Sequence, residues 1–558
     1  LSFEIRQKDL LGRIGKLSTR HGVLETPLLL PVVNPNNQLI PSQQLHDTFG
    51  FDALITNSYL VWRNCRDEKI VPKIHEILKF DGVVETDSGA YQILQYGDVE
   101  VQPAEIIRFQ EQLDSDIAVI LDIPTGDEAS RQRARWTVDE TLRRADQARS
   151  VITRNDILWV GPIQGGMYPE LVAYSAREMT KRDFAIYALG SPTPVMQQYR
   201  FDELVDMIMA AKLNLRPDRP LHLFGGGHPM MFALAVALGC DIFDSASYAL
   251  FARNGRYMTP HGTSKIQDLE YFPCNCPICH MKTPEDLRRL LPADRERFLA
   301  SHNLHSCFTE LQTIKQAIID GRLWELVESR SRNHPALQRG FQRLLHYAEA
   351  LERETPVRKK KGPFIISSDS LGRPEVLRFQ GRLLHRYEPL HVKTALLVPE
   401  DMLRPFREES NEDNWVKKIE RRRDLHMCAY GVTFGVIPSE LLDVYPLSQT
   451  EQAVTPSATA ISRAVGKIGS YLATANYANC VIMTAETWQL RLAKALQVKV
   501  KRKIKFKIMQ VKRGEKPFSE LFKLARKRSR SKRITKIPRC RPSEGNGCRR
   551  NEYRTSQT

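Results

Sequence analysis

The chain has 558 residues, 42% of them hydrophobic and 26% charged, enough to bury the cores of two or three domains. Its ten cysteines, four of them in or near one short cluster, point to a reducing compartment and a metal, not to a disulfide framework. The start, LSFEIRQKDL, has no apolar signal region, and the longest apolar run, Met230 to Leu238, is too short to cross a bilayer. A soluble, cytoplasmic protein is therefore expected.

The net charge of +17 sits at one end. From Lys499 to Thr558 there are 22 Lys and Arg against four Glu, while the remainder is neutral with 60 basic and 61 acidic side chains. A block of this kind is either a nucleic-acid arm or a solvated, disordered tail, and charge alone leaves both open.

Between Glu25 and Ser247 short apolar runs alternate with amphipathic stretches. Strands are predicted at 26–33 (TPLLLPVV), 52–57 (DALITN), 82–86 (GVVET), 116–122 (DIAVILD), 157–163 (ILWVGPI), 185–190 (AIYALG), 221–225 (LHLFG) and 240–244 (CDIFD). Helical segments such as PAEIIRFQEQL, YPELVAYSAREM and FDELVDMIMAAKL lie between them. Near-continuous apolar runs read as buried parallel strands. Eight of them with crossovers predict an α/β fold, a (β/α)8 TIM-type barrel; a doubly wound open sheet has the same pattern.

In such a barrel the catalytic groups sit at the carboxyl ends of strands. Asp87 follows the third strand, Asp122 the fourth, Gln164 the fifth, Gly190 the sixth and Asp244 the eighth. A single polar residue there is usually a cap or a turn former. Three carboxylates and an amide converging on one mouth are a candidate site. Crowded carboxylates ionise unequally, so one can donate a proton while another stays a nucleophile.

Downstream, FPCNCPICH places Cys274, Cys276 and Cys279 within six residues, and His302 follows in a segment ending LASHN. Three Cys and one His make a closed tetrahedral set, the pattern of a structural zinc site with no open position for water. His280 and His305 are nearby alternatives. His302 is preferred because it ends a helix that can fold back over the thiolate loop. One structural Zn2+ is expected, stapling the segment that carries Asp244. The absence of an open position also disfavours a metal hydrolase.

Residues 303–354 read as helical by their three-and-four apolar spacing, and 357–364 (VRKKKGPF) as a charged linker. Beyond it HVKTALLVP, CAYGVTFGVIP and ANCVIMTA read as strands, with helices around 461–472 and 488–496. The expected organisation is a barrel with its zinc subdomain (about 270–305) over 1–355, a smaller α/β or α+β accessory domain over 364–497, and a basic tail over 498–558 that opens with the alternating KVKRKIKFKIMQVKR.

DSGAYQ (87–92), LDIPTG (121–126), HLFGGGHP (222–229), DIFDSASYALFARNGRYMTP (241–260) and the CNCPIC…HN set together resemble the tRNA-guanine transglycosylases. The opening GRIGKLSTRHGVLETPLLLPVVNP and the run LITNSYLVWR are similar to the archaeal, guanine-15 branch. The resemblance covers about residues 3 to 350 strongly and extends weakly to about 495. It implies replacement of guanine 15 in the D-arm of tRNA by 7-cyano-7-deazaguanine, a step toward archaeosine. Retention at ribose C1′ needs two displacements. Asp244 is assigned as the nucleophile and Asp87 as the acid/base, although sequence does not order the two roles. Asp122 suits guanine N1–H and N2–H2. Gln164 and the backbone N–H groups near Gly165 or Gly190 suit O6 and N7. Ser88 and Gly89 allow close backbone approach, Tyr91 and Met196 are wall or stacking residues, and His228 reads as a turn histidine.

Departures from the family pattern fall at Ala90-Tyr91 (Ser-Phe usual), Gly126 (Pro usual), Gly166 (Ser usual) and Ser191–Pro194, and put the pocket wall in doubt more than the reaction. Implied partners are tRNA, guanine and 7-cyano-7-deazaguanine. A homodimer and a separate chain supplying a PUA-type RNA-binding domain are left open, since no PUA domain is recognised here. The competing readings are a non-catalytic tRNA-binding relative and a transglycosylase acting on the anticodon wobble guanine.

Overall fold

The computed structural model describes residues 3–66, 68, 70–90, 101–403, 415–500 and 504–511, so Tyr91 and the tail beyond 511 lie outside the described residues. Two compact units emerge, 1–389 with 431–475, and 390–430 with 476–558.

The first unit opens with three antiparallel strands, β1 (Phe3–Asp9), β2 (Gly12–Ser18) and β3 (Val23–Thr26). Eight parallel strands follow: β4 (Leu28–Pro31), β5 (Ala53–Asn57), β6 (Val83–Asp87), β7 (Ile117–Val119), β8 (Leu158–Ile163), β9 (Ile186–Leu189), β10 (Leu221–Leu223) and β11 (Ile242–Ser245). All eight lie within or next to the predicted segments. Each pairs with its neighbours in chain order, β11 pairs with β4, and a parallel bridge from Val32 to Ile55 joins β4 to β5. The sheet therefore curls into a barrel, and the open-sheet alternative falls away.

Alternation along the strands sorts side chains into two layers. Leu54, Val84, Ala118, Leu189, Leu223 and Phe243 face the surrounding helices. Leu30, Ile55, Val83, Val119, Val160, Ile186 and Ile242 fill the barrel, joined by Phe3, Leu17 and Leu24 from the antiparallel sheet, which plug its amino-terminal end. The carboxyl-terminal end is thus left as the mouth. The apolar run near 230 is the helix Pro229–Ala237, buried at every position beneath other helices, which explains a segment apolar on all sides.

The helix carrying His302 does not end there. It runs from Pro292 to Asp320 and stops where Gly321 takes a left-handed φ of 71°. Nor does 357–364 behave as a free linker. Lys359, buried, pairs with Asp9 at 2.7 Å and Glu375 at 2.5 Å, and Arg373 joins Glu375 (2.8 Å) to Glu325 (3.0 Å). Arg378 donates to the carbonyls of Thr355 and Pro356 at 2.6 and 2.8 Å. These ties explain why 356–389 group with the barrel and not with an accessory domain beginning at 364.

The second unit holds a parallel sheet in the order His426–Gly431, Thr394–Pro399, Asn479–Thr484, Lys505–Gln510. Its last strand is the KFKIMQ of the basic segment, so the lysine alternation there is an edge strand with charged side chains outward, a pattern that discourages pairing with other chains. Among the described residues no helix is long and apolar enough to cross a membrane.

Candidate active site and metal centre

Parity within the strands decides which side chains reach the mouth. In β6, Val83, Glu85 and Asp87 share the inner face; in β11, Ile242 and Asp244 do; β5 contributes Ile55 and Asn57, and β10 contributes His222. Asp87 Oδ2 accepts from Asn57 Nδ2 at 3.1 Å and from the Gly89 N–H at 3.4 Å. Burial and the neighbouring carboxylates of Asp122, Asp244 and Glu85 push the Asp87 carboxyl up to about 7.

Asp244 is held differently. Its Oδ1 contacts His222 Nε2 at 3.0 Å and accepts the Gly225 N–H at 2.9 Å. On its other side His222 Nδ1 lies 3.3 Å from Glu85 Oε1, close enough for an ion pair but without hydrogen-bond alignment. Burial disfavours a charged imidazole, yet the carboxylates of Glu85 and Asp244 outweigh it and raise His222 to about 9. The two aspartates thus have opposite surroundings: one crowded by negative charge, the other facing an imidazolium.

Beside them Asp122 Oδ2 accepts from Gln164 Nε2 at 2.5 Å. Gln164 Oε1 in turn accepts from the Thr125 N–H (3.0 Å), Thr125 Oγ1 (3.1 Å) and Ser191 Oγ (3.1 Å). Burial pushes Asp122 up to about 6, against the pull of Gln164 and Arg144. Gly190 is where this amide lies flat on the backbone: a Cβ there would stand 2.1 Å from Gln164 Nε2.

Several of the expected groups have partners within the fold. The N–H groups of Gly165 and Gly190 are already donated, to Thr125 Oγ1 (3.1 Å) and the Ile163 carbonyl (2.9 Å). Ser88 Oγ donates to the Ile120 carbonyl at 3.2 Å and is buried. Met196 is half-buried against the outer core. His228 caps the helix at 229 through Nδ1 (3.2 Å) and meets Thr263 Oγ1 at 2.7 Å through Nε2, the satisfied turn histidine expected. Gly126 and Gly166 form one coupled departure. Gly126 has a φ of 74°, which proline cannot adopt, and its carbonyl lies 2.8 Å from where a Gly166 side chain would begin.

Asn57, Glu85, Thr125 and His222 were not singled out from sequence. Glu85 and His222 were detectable: Glu85 shares the inner parity of β6 with Asp87, and His222 is a polar residue between two leucines.

The ligand atoms of Cys274, Cys276, Cys279 and His302 lie within 4.8 Å of one another, so this set can hold a metal ion. His302 Nε2–H donates to the Met258 carbonyl at 2.9 Å, leaving Nδ1 facing Cys279 Sγ at 3.3 Å and Cys276 Sγ at 3.7 Å. The His302 ring stacks on Tyr257 with centroids 3.5 Å apart. Its neighbour Asn303 bonds the Met258 N–H (2.9 Å) and the Tyr248 carbonyl (3.1 Å), tying the helix to the chain just past Asp244. His280 instead meets Asn275, and His305 packs on Phe49. A second group, His21, His75 and Asp116, lies at the plugged end. Its His21–Asp116 contact of 2.6 Å is a hydrogen bond, shorter than two ligands of one ion allow when each bond is about 2.1 Å.

These features define a (β/α)8 barrel whose mouth carries two carboxylates of opposed character and whose last strand is tied to a Cys3His module. Residues 8–336 match the family described as queuine tRNA-ribosyltransferase, and the chain belongs to that family. Residues 376–521 match a domain of unknown function, DUF5591. Among curated relatives, the tRNA-guanine(15) transglycosylase of Thermococcus kodakarensis is 45% identical over 68% of this chain and 65% of its own length. The namesake from Methanosarcina mazei is 44% identical over 80% and 86%, and that from Sulfolobus acidocaldarius 40% over 87% and 95%. The chain thus spans just under two thirds of the Thermococcus protein and most of the other two.

Proposed function

We propose that the chain exchanges guanine 15 of tRNA for 7-cyano-7-deazaguanine, and that Asp244 and Asp87 carry the two displacements. The observation behind this is the contrast between them: Asp244 faces an imidazolium while Asp87 is raised to about 7. In the first step an Asp244 oxygen attacks C1′, the bond from C1′ to N9 breaks, and Asp87 gives its proton to the departing guanine. In the second, Asp87 as carboxylate takes the N9 proton of the incoming base. That nitrogen attacks C1′ and releases Asp244.

Asp122 accepts from N1–H and N2–H2 of the base, Gln164 faces O6 with its remaining N–H, and Gly190 gives that amide room. Ser88 acts through its fold, bracing the end of β6. The metal is zinc, bound once per chain, and it stabilises the segment behind Asp244 without entering the chemistry. The reading puts the protein with tRNA in the cytoplasm. Incubation with unmodified tRNA and labelled guanine tests it. Label should enter at position 15 with the native chain and not with Asp244→Asn. Tight tRNA binding without incorporation would instead identify a non-catalytic relative, and label at the wobble position an anticodon enzyme.

A further inference from the structure

His222 and Glu85 lie inside the barrel, on the inner faces of β10 and β6. Both are wholly buried, and their layer is otherwise apolar. Burying a carboxylate and an imidazole in such a layer is costly unless they compensate one another. Glu85 from β6 faces His222 Nδ1 at 3.3 Å, and His222 Nε2 faces Asp244 Oδ1 at 3.0 Å. The Gly225 N–H holds the same oxygen at 2.9 Å. With Oδ1 engaged twice from below, Oδ2 is the oxygen left for the mouth.

We infer that His222 is a positioning residue for the exchange reaction: held by Glu85, it engages Asp244 Oδ1 and presents Oδ2 to C1′. This rests on the proposed function. His222 never touches the RNA; it acts through Asp244. The groups bearing on it are Glu85 from β6 and Asp244 from β11. Phe224 supplies an aromatic edge, with its ring centroid 4.7 Å from that of His222. Replacing the imidazole takes away the opposite charge that lies 3.0 Å from Asp244 Oδ1. An opposite charge in contact moves a carboxylate by about one to three pH units.

The test is the pH profile of the single-turnover exchange rate at saturating tRNA, where base recognition no longer limits. His222→Gln should move the acid limb up by about one to two pH units, with activity partly returning at higher pH. KM for tRNA should stay within about threefold, because no RNA contact is lost. Glu85→Gln/His222→Gln removes both buried charges and should show the same displaced limb. It keeps the test available if His222→Gln leaves Glu85 unpaired and fails to fold. A uniform rate loss at every pH, or an unmoved acid limb in the folded double variant, would overturn the inference while the native chain still exchanged base. No exchange by the native chain would overturn the functional reading and this one together.

Discussion

Two side chains set the pH behaviour of the mouth. In the proposed reaction Asp87 works first as an acid, and it is raised to about 7, so exchange should fall as pH rises past that value and its proton is lost. In the same proposal Asp122 accepts from the base as a carboxylate, and it is raised to about 6, so base affinity should fall as pH drops through that value. Base exchange at limiting base should therefore peak in the narrow range between them, and a broad plateau from pH 5 to 9 would contradict both assignments. Gly190→Ala is expected to raise KM for the base about ten- to a hundredfold. The added carbon would sit 2.1 Å from the Gln164 amide and push it off Asp122. Folding should be unaffected, which circular dichroism would check.

At the scale of elements, two ties carry most of the consequence. The Cys3His module fixes the helix Pro292–Asp320 against the chain beyond Asp244, so Cys276→Ser should lower zinc content, thermal stability and activity together. Full activity in a folded, metal-free preparation would show the module to be dispensable. Lys359→Met should destabilise the first unit by about 3–5 kcal/mol in urea unfolding, because it leaves the buried Asp9 carboxylate without its cation and Glu375 with Arg373 alone. That second tie explains what the sequence hid. VRKKKGPF has the composition of an exposed linker, and nothing local shows that one of its lysines is matched to an aspartate some 350 residues earlier. The eight barrel strands were legible because buried parallel strands are apolar on both faces, and the metal set because its spacing is tight. Which backbone N–H groups near Gly165 and Gly190 are free to meet a base was not legible, because sequence does not show that those two residues' own N–H groups are used by the sheet and its turns.

For the molecule as a whole, a near-neutral body carries a strongly basic end. The described part of that end is the strand Lys505–Gln510, so truncation after Val511 keeps that strand while removing the 16 Lys and Arg of 512–558. If these residues attract tRNA, each lost phosphate contact should flatten the slope of log affinity against log salt by about 0.7 to 0.9. The single-turnover rate at saturating tRNA should hardly change. An unchanged slope would mean that the tail takes no part in binding. The central claim is the division of labour between the two aspartates. It is tested most directly by denaturing the protein during turnover and locating the RNA-linked peptide by mass spectrometry. The expected result is a ribosyl adduct on Asp244, absent from Asp244→Asn. An adduct on Asp87, or one that persists in Asp244→Asn and vanishes in Asp87→Asn, would reverse the assignment.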